Sequence, residues 1–208
     1  MVGFSRGRPR IGLLESNSTK RERMAIPSKP VQLAKFRWNL ADLNIPSPGI
    51  TKPFTLRTAG DQEIEDALRV LEASYDLDPE WSGCDKYVEQ TVIPGAKRAL
   101  AGEGQCLFVL HGNRVIGASV YNPEPGEEDV HLVSGACVLI EYRSRGIGGS
   151  LLGATLEALK SCGLTEAIGR TRPNSPSAKF LCRKFGGQPV AVPRPKSRPD
   201  VAEDAVAA

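Results

Sequence analysis

Val138-Leu139-Ile140-Glu141-Tyr142-Arg143-Ser144-Arg145-Gly146-Ile147-Gly148-Gly149-Ser150-Leu151-Leu152 decides how the rest of the chain is read. An apolar, β-branched run breaks into a basic, glycine-rich turn and resumes with helical spacing, so a strand ends where a helix begins. Unpaired N–H groups and the positive end of the dipole at a helix start attract an anion, and glycine lets the anion approach the backbone. Arg143 and Arg145 add positive charge to the same turn, which together predicts a phosphate site. A strand-turn-helix with two glycines is also common for purely architectural reasons, so the type of loop has to be decided on its residues. A dinucleotide fingerprint needs G-x-G-x-x-G, whereas Gly146-Ile147-Gly148-Gly149-Ser150-Leu151 puts leucine at the third glycine position. A P-loop closes with Gly-Lys-Ser/Thr, and this turn has no lysine, so both are excluded.

The remaining pattern, Arg143-x-x-Gly146-x-Gly148, resembles the Q/R-x-x-G-x-G/A loop of the GCN5-related N-acetyltransferases (GNAT), as do the flanking Glu141-Tyr142 and Leu151-Leu152. The resemblance implies acetyl-CoA as cosubstrate. Residues Ser144, Arg145, Gly146, Ile147, Gly148, Gly149 and Ser150 would then surround its pyrophosphate, with Arg143 opening the loop. Backbone groups of Ala136 and Val138, on either side of Cys137, would meet the acetyl carbonyl and the pantetheine arm.

A second element stands at the expected distance. Asn174-Ser175-Pro176-Ser177-Ala178-Lys179-Phe180-Leu181-Cys182-Arg183-Lys184-Phe185-Gly186-Gly187 is similar to the family's N-x-x-A-x-x-L-Y-x-K-x-G-F, with Ala178, Leu181, Lys184 and Gly186 matching. Asn174 falls one residue early, Ser175 takes its slot, and Gly187 replaces the aromatic. Asn174 and Ser177 are the coenzyme contacts the resemblance implies here. Cys182 stands where many relatives have a tyrosine that protonates the departing thiolate. A thiol with an ordinary pKa of about 8.5 can donate a proton, and it can equally be an inert buried group on an apolar helix face. The glutamate that often serves relatives as base is replaced by Leu132, leaving His131, Ser134 and the acidic run Glu127-Glu128-Asp129 nearby. His131 has a suitable intrinsic pKa of about 6.5, but strand alternation turns it away from Leu132, Ser134 and Ala136 unless a bulge intervenes. Water, or an amine that arrives neutral, is an equal alternative. The acidic run would favour a cationic acceptor or simply form a solvated turn.

At 208 residues, with 40% apolar and 25% charged residues, the chain suits one soluble domain. No run approaches the roughly 18 apolar residues of a membrane span, so no membrane partner is expected. Met1-Val2-Gly3-Phe4-Ser5-Arg6 lacks the apolar core of a secretory signal. Five cysteines, at 84, 106, 137, 162 and 182, lack metal-type spacing and read as reduced core residues of a cytoplasmic protein, with no metal expected. The net charge of +3 is unevenly spread: residues 1–52 carry ten Lys/Arg against three Asp/Glu, while the remainder is mildly acidic.

Regular patterning starts at Phe54. The expected elements are a strand at Phe54-Thr55-Leu56-Arg57, a helix from Asp61-Gln62-Glu63 onward, and a second helix over about 85–101 interrupted at Pro94-Gly95. A hairpin follows, Cys106 to Leu110 and Arg114 to Tyr121 around His111-Gly112-Asn113. Val130 to Ile140 is the longest strand expected, then a helix over Gly146 to Cys162, a strand at Glu166 to Arg170 and a last helix over Ser175 to Lys184. The fold class is α/β (α+β): a mixed, mostly antiparallel central sheet of GNAT type flanked by about four helices. Residues 53–192 form that domain, between a largely irregular basic extension (1–52) and a Pro- and Ala-rich tail (193–208). The family usually closes with two more strands, and only Val190-Ala191-Val192 remains, so the last sheet position is missing or filled by the leading extension or a partner chain.

The extension itself holds Ser5-Arg6-Gly7-Arg8-Pro9-Arg10, which resembles the core of minor-groove AT-hook peptides. More loosely, Gly7-Arg8-Pro9-Arg10, Leu13-Leu14-Glu15 and Asn17-Ser18-Thr19-Lys20-Arg21 resemble the leader of phage terminase small subunits. A solubilising basic tail is the plainer reading. Two functions follow: acetyl transfer from acetyl-CoA to the primary amine of a small molecule or peptide, or nucleic-acid binding through residues 1–25 by a protein whose coenzyme-binding body is inert. The acceptor and the oligomeric state are not legible.

Overall fold

The structure, a computed structural model, describes residues 31–43, 49–60, 63–125 and 129–190. The leader expected to bind nucleic acid (1–25), Glu127 and Glu128 of the acidic run, and the tail lie outside them. Among the described residues seven strands form two antiparallel layers. One holds β2 (Phe54–Thr58), β3 (Gln105–His111), β4 (Arg114–Tyr121) and β5 (Cys137–Val138) in that order; the other holds β6 (Glu166–Thr171), β1 (Ala34–Asn39) and β7 (Gln188–Val190), with β1 in the middle. Among the described residues His131 and Leu132 join them, Leu132 bridging antiparallel to Tyr121 and parallel to Gly169. Beyond that bridge the layers part.

β1 corrects the expectation of an irregular extension. In Lys35-Phe36-Arg37-Trp38-Asn39-Leu40 the apolar residues alternate with polar ones, and Phe36, Trp38 and Leu40 are buried while Arg37 and Asn39 are exposed. β1 pairs with β6 over its full length, Ala34 opposite Thr171 through Asn39 opposite Glu166, and with β7 from Lys35 to Arg37. The leading segment, one of the candidates for the missing sheet position, therefore supplies a strand between β6 and β7, the last two of the described strands in sequence.

Helix α1 (Ile64–Asp76) packs on β4 and β5 through Ala67, Leu68, Val70, Leu71, Ser74 and Tyr75. The expected second helix is α2 (Asp85–Tyr87), a π-helical turn (Val88–Val92) and α3 (Ile93–Leu100). Pro94 sits in the first turn of α3, where its missing N–H costs least, and the π turn absorbs the change of register. Helix α4 (Ile147–Ser161) buries Leu151, Leu152, Leu156 and Leu159, and Gly163 follows its end at φ +89. A π-helical turn (Ser177–Leu181) and α5 (Cys182–Lys184) form the last helical segment.

The long strand expected over Val130 to Ile140 is instead broken. His131 and Leu132 both donate to the Ile168 carbonyl, Val133 and Ser134 both donate to that of Val120, and Gly135 turns at φ +68, so only Cys137 and Val138 stay in the ladder. Cys162 also departs from expectation: it is exposed, while Cys84, Cys106, Cys137 and Cys182 are buried. Among the described residues no helix is long and apolar enough to cross a membrane.

Candidate functional site

The parting layers leave a cavity of about 490 Å³ between them. One wall is Ser134 to Val138, the other Gly169 to Thr171, with Phe36 and Trp38 of β1 behind it. Arg143, Ser144 and Gly148 close one end; Ser177, Leu181 and Cys182 cover a side, and Ser74, Tyr75, Asp78 and Trp81 come from the end of α1 and the turn after it.

The basic turn is shaped by backbone conformation. Ser144 (φ +62) and Gly146 (φ +80) are both left-handed, the second at the start of α4, and the first bond of the helix runs from the Ser150 N–H to the Gly146 carbonyl. Among the described residues no side chain caps the helix, and N–H groups left without a cap at a helix start form a cradle suited to an anion. Gly148 faces Val138, whose Cγ2 would lie 3.8 Å from a β-carbon there.

The two arginines differ. All three nitrogens of Arg143 are held by the protein: Nε donates to the Val138 carbonyl (3.0 Å), Nη1 to Asp78 (2.9 Å) and Nη2 to the Ser74 carbonyl (2.9 Å). It braces the end of β5 against the end of α1 instead of standing free beside the cradle. Arg145 is exposed, its Nη2 donating to the Glu141 carbonyl and its guanidinium lying 5.6 Å from the Tyr142 ring centre.

Of the residues expected at the site, Ala136, Cys137, Val138, Arg143, Ser144, Gly148, Ser177 and Cys182 border the cavity. Gly146, Ile147, Gly149 and Ser150 build the turn behind it, with Ile147 and Ser150 buried. Asn174 is exposed and outside the lining; Ser175 is buried, its Oγ donating to the Arg172 carbonyl (2.8 Å) and accepting from the Ala178 N–H (3.2 Å). Ser175, which takes the family's Asn slot in the sequence, therefore borders the cavity where Asn174 does not.

Neither proton-transfer candidate is placed for its role. His131 lies outside the cavity lining, and its Nδ1 accepts the Ile168 N–H at 3.2 Å, which spends that lone pair. Burial lowers its pKa, partly opposed by Asp129 and Glu166 and helped by Lys35. Cys182 does reach the cavity, but burial pushes its thiol up to about 12. A proton moving from such a thiol to a less basic thiolate would go uphill. Cys137 is likewise pushed up to about 12 by burial, and the buried Tyr75 hydroxyl donates to the Ser134 carbonyl at 2.7 Å.

Two buried polar atoms beside the cavity have no partner among the described residues, Trp38 Nε1 and Ser74 Oγ. Such groups are costly unless something hydrogen-bonds to them. Sequence reasoning missed Phe36, Trp38, Ser74, Tyr75, Asp78 and Trp81; the period-two alternation of 36, 38 and 40 was the available signal for the first pair. For the α1 residues none existed, because Ser74 and Tyr75 read as part of a core helix face.

A family model described as the acetyltransferase (GNAT) family matches residues 67–186. Among solved structures, the chain is similar to a Drosophila protein at 18% identity, covering 78% of this chain and 48% of that one with a TM-score of 0.56. It is similar to a GCN5-related N-acetyltransferase from Sphaerobacter thermophilus at 17% identity, 78% and 50% coverage, TM-score 0.52. A functionally unknown conserved protein from Staphylococcus epidermidis gives 16% identity, 76% and 57% coverage, TM-score 0.50. These likenesses show the fold, and the chain spans roughly half the length of the structures it matches. No curated protein matches the chain.

Proposed function

This chain belongs to the acetyltransferase (GNAT) family, and from that premise we propose that it transfers an acetyl group from acetyl-CoA to a primary amine by direct attack while both are bound. The observation that carries the reading is the cavity itself, which runs from the N–H cradle at Gly146 to Gly149 past the edge of β5 to the end of α1. The residues fit the coenzyme: the N–H groups at the start of α4 suit a pyrophosphate, and the edge of β5 offers the backbone of Ala136 to Val138 to an amide- and carbonyl-bearing chain.

When bound, acetyl-CoA supplies an activated thioester carbonyl. The amine nitrogen forms a bond to that carbon as the carbon–sulfur bond breaks; one proton leaves the nitrogen and one reaches the sulfur. The amine attacks in its neutral form; with His131 Nδ1 committed to the backbone and the Cys182 thiol too weak an acid, water accepts the one proton from the nitrogen and supplies one to the sulfur, and an amine that arrives as ammonium first loses a further proton to water. The protein's own part is positioning: Arg143 fixes the end of β5 relative to α1, and the parted layers hold the thioester along Cys137 and Val138.

Titration calorimetry of the folded protein with CoA and acetyl-CoA, paired with free-thiol release on a panel of amines, tests this. Heat of binding and amine-dependent thiol release are expected. A folded protein that gives no heat with either form of the coenzyme overturns the reading.

A further inference from the structure

A second cavity, of about 300 Å³, lies against the first, and Tyr75, Trp81 and Arg170 line both. We infer that it receives the acceptor, and that the acceptor is an aromatic α-amino acid or close analogue: a primary amine beside a carboxylate, on a body that carries a ring. This rests on the acetyl-transfer reading.

Adjacency gives the first reason. An amine must come within about 3–3.5 Å of the thioester carbon, so its site has to adjoin the coenzyme cavity, and this one shares Tyr75, Trp81 and Arg170 with it. Chemistry gives the second. Trp81 lies stacked beside Tyr87 (centroids 6.2 Å apart, 12° between planes) and edge-on to Tyr75 (4.8 Å, 85°), and Val92, Ala99 and Val133 add apolar surface beside the polar Thr91 and Asn122. Flat aromatic and apolar walls favour a ring.

Charge gives the third. Among the described residues lining this cavity, the charged side chains are Arg98 and Arg170, and no carboxylate is present. Both guanidinium groups also interact within the protein. With five N–H donors each, a guanidinium can bond to more than one acceptor at once, a ligand carboxylate among them. Asp129, the described member of the acidic run, is paired with Lys35 at 3.1 Å. A polyamine would bring several positive charges to a wall of guanidinium groups; an amino acid brings its own compensating anion. The cavity is also at the lower end of the roughly 300–1,000 Å³ typical of ligand pockets, which suits a small whole molecule.

Gly95, on α3, gives a selective probe. A β-carbon there would meet only Val133 Cγ1 at 3.8 Å and Arg98 Nη2 at 3.9 Å, so Gly95→Leu projects into the second cavity while the first is untouched. The full chain is assayed for thiol release from acetyl-CoA with L-phenylalanine, 2-phenylethylamine, spermidine and a lysine peptide, and L-phenylalanine binding is followed separately by ligand-observed NMR without coenzyme. The expected results are kcat/KM for phenylalanine at least tenfold above the other three, and a tenfold or greater loss in Gly95→Leu with coenzyme affinity retained. In Arg98→Leu, at an exposed position that leaves the core intact, the preference for phenylalanine over 2-phenylethylamine should narrow. A preference for spermidine or peptide, phenylalanine binding that Gly95→Leu leaves intact, or neither turnover nor binding of phenylalanine overturns the inference. If the coenzyme does not bind, the acetyl-transfer reading fails by itself, and the NMR arm still decides the occupant of this cavity.

Discussion

The Trp38 indole lies over Gly187 so closely that a β-carbon there would come within 2.8 Å of its Nε1 and Cε2. The family's usual aromatic at this position has no room, because a ring from the leading strand already fills the space. The Cys182 carbonyl, also 2.8 Å from that β-carbon, closes the other side, so the backbone as well as the indole would have to move. Gly187→Ala should cost about 1–3 kcal/mol, as overpacking does. Urea unfolding measures this, and an unchanged midpoint would mean that the indole swings freely.

Trp38 is fully buried, and it lines the cavity between the layers from a strand outside the span of the family model. Trp38→Ala should destabilise by about 3–5 kcal/mol through the void it leaves, and it should weaken coenzyme binding in calorimetry at a temperature where the variant stays folded. Unaltered affinity would remove β1 from the site.

Arg143 and Arg145 carry equal charge two residues apart, yet their substitution should differ. Arg143→Met strands two carbonyls and Asp78, and a loss of about 1–3 kcal/mol is expected together with weaker coenzyme binding. Arg145→Met touches an exposed side chain and should stay within about 0.5 kcal/mol. Equal losses in thermal unfolding would show that the brace around Arg143 does not exist in solution.

Cys182→Ala should leave amine-dependent thiol release within about twofold, since a thiol pushed up to about 12 is a poor acid at neutral pH. A tenfold fall in kcat with KM unchanged would restore its role as proton donor. In the same spirit, a thiol reagent at pH 8 should label Cys162 quickly in the native protein and Cys106, Cys137 and Cys182 slowly, because Cys162 is exposed and burial holds the other three near 12.

His131 binds a proton less readily in the fold than in the unfolded chain, because burial is the largest influence on it. The unfolded state therefore takes up the proton first as pH falls below about 6.5, and stability declines from there toward the lower folded pKa. His131→Gln, which keeps an acceptor for the Ile168 N–H, should flatten this decline between pH 7.5 and 5.5. Glu63, lowered to about 2 by its hydrogen bond to Arg57, acts only below its ordinary 4.5 and does not interfere in that window. An identical decline in the variant would assign the pH dependence elsewhere.

Local pattern accounts for much of what could be read in advance. The hairpin at Gly112, the strand at Glu166 and the helix from Ile147 follow from periods of 2 and 3.6 and from glycines at turns, all of which are properties of short segments. The broken strand at His131 to Gly135 was hidden for the same reason: its β-branched and apolar residues alternate well enough, and what interrupts it is competition between the Ile168 and Val120 carbonyls on two different neighbours. The alternation at Phe36, Trp38 and Leu40 was present but short, surrounded by prolines and charge.

By itself, then, the sequence determined the strand-turn-helix at Arg143 to Ser150, the element order that follows Phe54, and the family those imply, because each depends on neighbours a few residues apart. Only the tertiary structure decided that the leading strand would fill the place between β6 and β7, that Arg143 would brace α1 instead of serving the cradle, and that Ser74, Tyr75 and Trp81 would face the ligand cavities. Those outcomes depend on groups separated by 60 residues or more meeting as apolar surface is buried, and no local spacing encodes that meeting.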